Sequence, residues 1–263
     1  MRVLVVGDVV GSPGRKTLEE YLKRFSSNYD FIVVNGENAA AGFGITAKIA
    51  DEFLANNIDV ITSGNHIWDK KEIYTYLENS ERLLRPINYP KGVPGKGYTI
   101  VESKKGIKVG VVSVQGRVFM PPIDCPFKTL ADVVEEMRKE CKIIIVDFHA
   151  EATSEKIALA KYMDGKISLL YGTHTHIQTA DEKILLEGTG YITDAGMTGS
   201  DNGIIGMDNN SIIPKFLNCL PQRFEIAKGM ERLNGLDVEI DEETGDCLRI
   251  DRINISLDQI EMM

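Results

Sequence analysis

Short apolar, β-branched runs alternate with amphipathic stretches through the first two thirds of the chain. Val3–Val6 is such a run. Leu18, Leu22 and Phe25 then recur at helical spacing within Arg15–Phe25, and Phe31–Val34 is a second apolar run. Apolar residues three or four apart share one helix face, whereas an unbroken apolar run of a few residues suits a strand covered on both sides. The pair of signals repeats. Thr46–Asn57 predicts a helix with Thr46 as its N-cap and Ile49, Phe53 and Leu54 on one face, and Asp59–Thr62 predicts a third strand. Lys70–Leu77, Thr129–Lys139 and Ser154–Met163 predict further helices, and Lys142–Phe148 and Ile167–Tyr171 further strands.

Between these units, Pro86–Gly97 reads as an irregular loop. Tyr98–Val101 and Ile107–Val114 read as a hairpin joined through Lys104-Lys105-Gly106. The β-α repetition predicts a parallel or mixed sheet covered by helices on both sides. After Gly188 the alternation stops. Tyr191–Asp194, Arg223–Ile226, Gly235–Ile240 and Leu248–Ile255 read as strands with few helices between them. No linker, low-complexity tract or internal repeat divides the chain. A single domain over residues 1–263 is expected, with a second sheet partly built from the C-terminal third.

Composition narrows the function classes. The 43% hydrophobic and 26% charged content is that of an ordinary globular protein. A formal net charge of -9 argues against gripping a nucleic-acid polymer through a broad basic surface. It leaves room for a small nucleotide whose phosphate is held by metal ions. Cys125, Cys141, Cys219 and Cys247 are scattered without a CxxC pair, so buried or free thiols are expected. Met1–Val6 is too short for an export signal, and no apolar run approaches the ~18 residues that span a bilayer. A cytoplasmic protein without a membrane partner is expected.

The chemistry sits at the ends of the predicted strands. All four histidines fall there: His66 in Gly64-Asn65-His66, His149 in Asp147-Phe148-His149, and His174 and His176 in Gly172-Thr173-His174-Thr175-His176. Parallel α/β sheets gather strand ends at the edge where these folds bind ligands, and imidazole is a common ligand for transition metals. Alternate residues of an extended segment point to opposite sides. The His-x-His pair can therefore serve two neighbouring metals, or clasp one if the chain bends. Asp8 and Glu37 offer anionic ligands, although Asp8 could simply cap a helix. Glu37 is flanked by Asn35 and Asn38 in a glycine turn after a buried strand, a costly place for polar groups without a ligand. Asn65 can act as an amide ligand or as a helix cap. Asp69, three residues beyond His66, can orient its ring or stand in solvent.

Two phosphate-loop look-alikes fail on inspection. Gly11-Ser12-Pro13-Gly14-Arg15-Lys16-Thr17 has Val10 and Arg15 where a P-loop needs glycines. Gly42-Phe43-Gly44-Ile45-Thr46-Ala47 lies too far from its strand, and Asp59 falls before the next strand rather than after it.

In order, Gly7-Asp8, Gly36-Glu37-Asn38, Gly64-Asn65-His66, His149 and Gly172-Thr173-His174-Thr175-His176 resemble the calcineurin-like metallophosphoesterase signature. That pattern runs D-x-H, G-D, G-N-H-D/E, a lone H and G-H-x-H. Here Val10 replaces the first His, Glu37-Asn38 replaces the bridging Asp, and Ile67 follows His66 where an acid is usual. Together with GDVVGSPGR, NGENAAAGFGIT, GNHIWD, DFHAEATSEK, YGTHTHIQTAD and TDAGMTG, these departures are similar to the YmdB-like branch. That branch is named for 2',3'-cyclic-nucleotide 2'-phosphodiesterase activity, and the similarity runs from Met1 to about Asp208.

The resemblance implies an α/β fold in which two packed mixed β-sheets are flanked by helices, an α-β-β-α sandwich. It also implies a homo-oligomer and two metal ions, iron foremost, with Mn, Zn or Co as alternatives. Carried over by position, Asp8, Glu37, Asn38 and His176 would hold one metal, with Asn38 in place of the missing His. Glu37, Asn65, His149 and His174 would hold the other, so that Glu37 bridges. His66 would stay unligated and donate a proton while a metal-bridging hydroxide opens a 2',3'-cyclic nucleotide to a 3'-nucleotide. The loop Gly196–Gly199 and the glycines around Phe43 are candidate lining for the substrate pocket. The alternatives are a phosphomonoesterase or protein phosphatase on the same centre, or a non-catalytic nucleotide sensor or scaffold. A scaffold would be expected to have lost ligands, whereas every position here carries a competent group.

Overall fold

The alternation folds into two sheets in the computed structural model, which describes residues 1–263. Strands β1 (Arg2–Val6), β2 (Asp8–Val9), β3 (Phe31–Asn35) and β4 (Val60–Thr62) come first, with helices α1 (Gly11–Phe25), α2 (Ala47–Ala55) and α3 (Ile73–Asn79). The middle third supplies β5 (Tyr98–Glu102), β6 (Lys108–Gln115), α4 (Pro126–Met137), β7 (Ile143–His149), α5 (Thr153–Met163) and β8 (Leu169–Thr173). The last third supplies β9 (Lys183–Ile184), β10 (Gly190–Ile192), β11 (Met197–Ser200) and α6 (Asn209–Asn218). It closes with β12 (Glu231–Ile240), β13 (Cys247–Ser256) and α7 (Leu257–Met262).

One sheet of seven strands runs β2-β11-β12-β1-β3-β4, with β13 paired to β12. The other, of six, runs β5-β6-β7-β8-β10-β9. β1, β3 and β4 are mutually parallel, as are β6, β7, β8 and β10, while β12 is antiparallel to β1 and β5 to β6. Both sheets are therefore mixed.

Alternate side chains of a strand go to opposite faces, and three cores result. Val3, Val5, Phe31 and Val33 meet Ile143, Ile145 and Leu169 in a core of 20 buried residues between the sheets. Their neighbours Leu4, Val6, Ile32 and Val34 turn outward to residues of α1, α2 and α3, such as Leu18, Phe53 and Leu77, in a core of 23. On the far side Ile144, Val146 and Leu170 pack against Leu130, Val134 and Leu159 of α4 and α5 in a core of 16. The layers are helix, sheet, sheet, helix. Strands covered on both faces need no polar alternation, which is why they read as continuous apolar runs.

The C-terminal third departs from the sequence reading. The long β12–β13 hairpin joins the first sheet through β1, and only β9 and β10 extend the second. Alternation at Leu236, Val238 and Ile240 shows that one face is buried, but not against which sheet. Arg223–Ile226 forms no strand and makes only an isolated bridge from Ile226 to Met207. Helix α6 has no counterpart in the sequence reading, because Ile213, Phe216 and Leu217 are exposed and leave no core-facing periodicity. Thr46 caps α2 as predicted, its side chain accepting from the Ile49 N–H. The P-loop look-alike is simply the first two turns of α1. No helix is long and apolar enough to cross a membrane.

Candidate metal centre

The parallel strands of both sheets deliver their carboxyl ends to one edge. Asp8 follows β1, Glu37 and Asn38 follow β3, and Asn65 and His66 lie in a 3-10 turn after β4. His149 is the last residue of β7, and His174 and His176 follow β8.

Glu37 Oε1 lies 3.0 Å from His149 Nε2, which also lies 3.1 Å from Asn65 Oδ1 and 3.0 Å from His174 Nδ1. The ligand atoms of Glu37, His149 and His174 all fall within 4.8 Å of one another. On the other side of Glu37, Asn38 Nδ2 is 3.4 Å from Glu37 Oε1 and 3.1 Å from His176 Nε2. Asp8 Oδ1 is 4.0 Å from His176 Nε2 and 3.8 Å from His149 Nδ1. Glu37 therefore stands between two sets of donors.

The hydrogen bonds behind the rings decide which nitrogens face inward. Thr173 Oγ1 donates to Asp147 Oδ1 over 2.7 Å, so it can only accept from His149 Nδ1–H at 2.9 Å. His176 Nδ1–H donates to the Ile205 carbonyl at 3.0 Å, and His174 Nε2–H to Glu151 at 3.2 Å. Each ring, when neutral, then turns a lone pair into the cluster around Glu37 and Asn38. Acceptors aimed at one another at 3.0 Å repel unless a cation or a proton lies between them. Two further oxygens, Asp8 Oδ1 and Asn38 Oδ1, are buried without any hydrogen-bond partner. A half-turn of the Asn38 amide would bring its oxygen to the position its nitrogen holds beside His176 and Glu37. Mixed imidazole, carboxylate and amide donors of this kind fit Fe, Mn, Zn or Co.

Protonation relieves part of this repulsion. Burial pushes the Asp8 carboxyl up. Burial would do the same to Glu37, but the charge and hydrogen bond of His149 hold it well below the usual carboxylate range. Burial depresses the His149 imidazole, yet Glu37 and Asp8 outweigh burial and raise it above the ordinary value. His174, lowered first by burial and then by charged His149, falls to about 3, and burial pushes Asp147 up to about 6. A metal must displace the His149 proton. Apparent affinity should therefore rise with pH through neutrality, about tenfold per unit for each proton displaced. Manganese titrations between pH ~6.5 and ~8.5 test this, and a flat profile would contradict the protonated site.

The loop that carries the His-x-His pair is bent, not extended. His174 and His176 have φ of 98° and 66°, in the left-handed region that ordinary residues avoid. The bend brings His174 to His149 and His176 to Asn38. Asp8 Oδ2 accepts from the His174 N–H at 3.0 Å, and Asp194 accepts from both the N–H and the hydroxyl of Thr175, at 3.2 and 2.7 Å. Asp194 in turn pairs with the fully buried Lys156 at 2.8 Å. Sequence reasoning missed Lys156, Asp194, Thr173 and Glu151. Asp147 carried a usable signal, as a carboxylate inside an otherwise apolar strand.

Gly64 lets the centre close. A Cβ at this position would fall 2.1 Å from His149 Cδ2 and 2.4 Å from its Nε2. Gly64→Ala is expected to lower metal affinity at least about tenfold, as loss of ligand orientation does elsewhere. Wild-type affinity in calorimetric titration of that variant would contradict the packing.

His66 stands outside the donor cluster. Its backbone N–H donates to Glu37 Oε2 at 3.2 Å, and its Nδ1 lies 2.8 Å from Asp69 Oδ2, which orients the ring. The ring forms part of the wall of a cavity of about 680 Å³ that also touches Glu37, Asn38, His174 and His176. Of the glycines around Phe43, Gly42 lines it, as does Phe43 itself, and Gly44 does not. Gly196–Gly199 does not, because Met197–Ser200 is strand β11, paired to Asp8 and Val9 of β2.

A family model described as YmdB-like protein matches residues 4–253. A Bacillus subtilis (strain 168) relative named 2',3'-cyclic-nucleotide 2'-phosphodiesterase is 48% identical over 262 residues, covering 99% of each chain. A solved structure of a hypothetical protein from Thermus thermophilus superposes with a TM-score of 0.92. It is 41% identical, covering 97% of this chain and 99% of its own. A Mycoplasma pneumoniae structure described as a novel phosphatase gives a TM-score of 0.90 at 32% identity, covering 97% and 93% of the two chains.

Proposed function

Because this chain belongs to the YmdB-like family, we propose that it is a metal-dependent phosphodiesterase opening 2',3'-cyclic nucleotides to 3'-nucleotides. The observation that carries the reading is the convergence of three imidazole nitrogens on Glu37 and Asn38, beside the unpartnered oxygens of Asp8 and Asn38. Asp8, Glu37, Asn38 and His176 would hold one metal ion and Glu37, Asn65, His149 and His174 a second, with iron the first candidate for both. When bound, such a pair neutralises phosphate charge and acidifies a water for attack.

The chain's own groups do the rest. Water oxygen bonds to phosphorus, its proton passing to solvent, as the P–O2' bond breaks, and His66 gives its Nε2 proton to the departing 2'-oxygen. Asp69 holds Nδ1–H, so that Nε2 is left for the substrate. The β12–β13 hairpin completes the sheet that carries Asp8 and Glu37, and we take residues 1–263 to act as one domain, in the cytoplasm, as a homo-oligomer.

The Mycoplasma pneumoniae structure described as a phosphatase favours a second reading, monoester hydrolysis at the same centre. Comparing 2',3'-cyclic AMP, 3',5'-cyclic AMP, bis-p-nitrophenyl phosphate and a phosphopeptide separates the two. The expected result is the highest kcat/KM on 2',3'-cyclic AMP, with 3'-AMP as product. Preference for the phosphopeptide would overturn it.

A further inference from the structure

The cavity has an aromatic side that the metal chemistry does not use. Phe43 sits between Gly42 and Gly44, whose φ of 89° and 79° make a turn that ordinary residues rarely adopt. That turn sets the Phe43 ring edge-on against His66, with centroids 4.9 Å apart and planes at 68°. The ring of Phe224, beyond α6, is centred 6.4 Å from that of Phe43, with only 28° between the planes. Lys215 Nζ lies 4.6 Å from the centre of the Phe224 ring. The cavity's size is that of a small-molecule site rather than of a lone phosphate.

We infer that Phe43 and Phe224 form the nucleobase subsite, and that stacking there makes the 2'-oxygen the one that leaves. The inference rests on the function proposed above. In a 2',3'-cyclic nucleotide the base is borne by C1', which is bonded directly to C2', whereas C3' is one carbon further away. With phosphorus at the donor cluster and O2' at His66, the base lies on the His66 side. The ring in contact with His66 is Phe43, and Phe224 extends the same surface. Turning the nucleotide over would present O3' to His66 and carry the base away from both rings. Base–aromatic stacking tolerates any base, because every base has a π-face. The stack therefore selects the breaking bond without selecting the base.

The test compares 2',3'-cyclic AMP with glycerol 1,2-cyclic phosphate, a cyclic diester of the same ring size that has no base. In Phe224→Ala the ratio of the two kcat/KM values, nucleotide over glycerol ester, is expected to fall at least about tenfold. Phe224→Trp should restore it. Phe43→Ala is expected to release 2'-AMP alongside 3'-AMP in the chromatographed products. An unchanged ratio with 3'-AMP as the sole product would overturn the subsite. Equal losses on both substrates would also overturn it, since the rings would then support the centre rather than the base. A wild-type protein that opens the glycerol ester but leaves 2',3'-cyclic AMP intact would remove the functional reading itself, whereas variant failures beside an active wild type remove only the subsite.

Discussion

Glu37→Gln is expected to lower metal affinity by more than about 100-fold and to bring turnover below detection. The substitution keeps the shape of the side chain but removes its charge and turns one acceptor oxygen into an NH2 donor. Glu37 is fully buried, and its Oε1 is 3.0 Å from His149 on one side and 3.4 Å from Asn38 on the other. It is the group shared by both proposed ligand sets, so its loss weakens both at once. Groups that merely orient ligands typically contribute about 10–100-fold, which sets the lower bound for a shared ligand. Titration calorimetry with Mn or Fe checks the affinity. A variant that keeps wild-type metal content would show that the carboxylate does not bridge.

His66→Ala should separate proton transfer from metal binding. The ring stands outside the donor cluster, so metal content is expected to stay at the wild-type level. Turnover of 2',3'-cyclic AMP should fall by about 10²–10⁴-fold, the usual contribution of a positioned proton donor. The leaving group provides a second readout. p-Nitrophenolate departs without protonation, so hydrolysis of bis-p-nitrophenyl phosphate should suffer far less than that of the nucleotide. Loss of metal in this variant would make His66 a ligand. Equal losses on both substrates would make it a positioning residue rather than an acid.

The sequence was most informative where structure is local. Val3–Val6 and Phe31–Val34 announce buried strands because both faces of their sheet are covered, and the polar residues after them announce the edge at which the strands end. That reasoning placed Asp8, Glu37, Asn65, His149 and the His-x-His pair at one edge without any structure, and the resemblance added Asn38. It did not reveal that the His174–His176 loop bends into left-handed backbone, because the bend is held by Asp8 and Asp194 across the fold. Lys156 was equally hidden. A lysine near the start of a helix with no clear apolar face reads as solvated, and only its ion pair with Asp194, 38 residues away, explains its burial. The C-terminal hairpin showed its alternation but not its partner, and α6 showed neither, since it buries Ile212 alone while Ile213, Phe216 and Leu217 face outward.

Metal content of freshly purified protein, measured by inductively coupled plasma mass spectrometry against chain concentration, tests the central claim most directly. The two proposed ligand sets predict about two transition-metal ions per chain. A stoichiometry of one or none in protein active on 2',3'-cyclic AMP would contradict the shared role of Glu37 and the two-metal reading built on it.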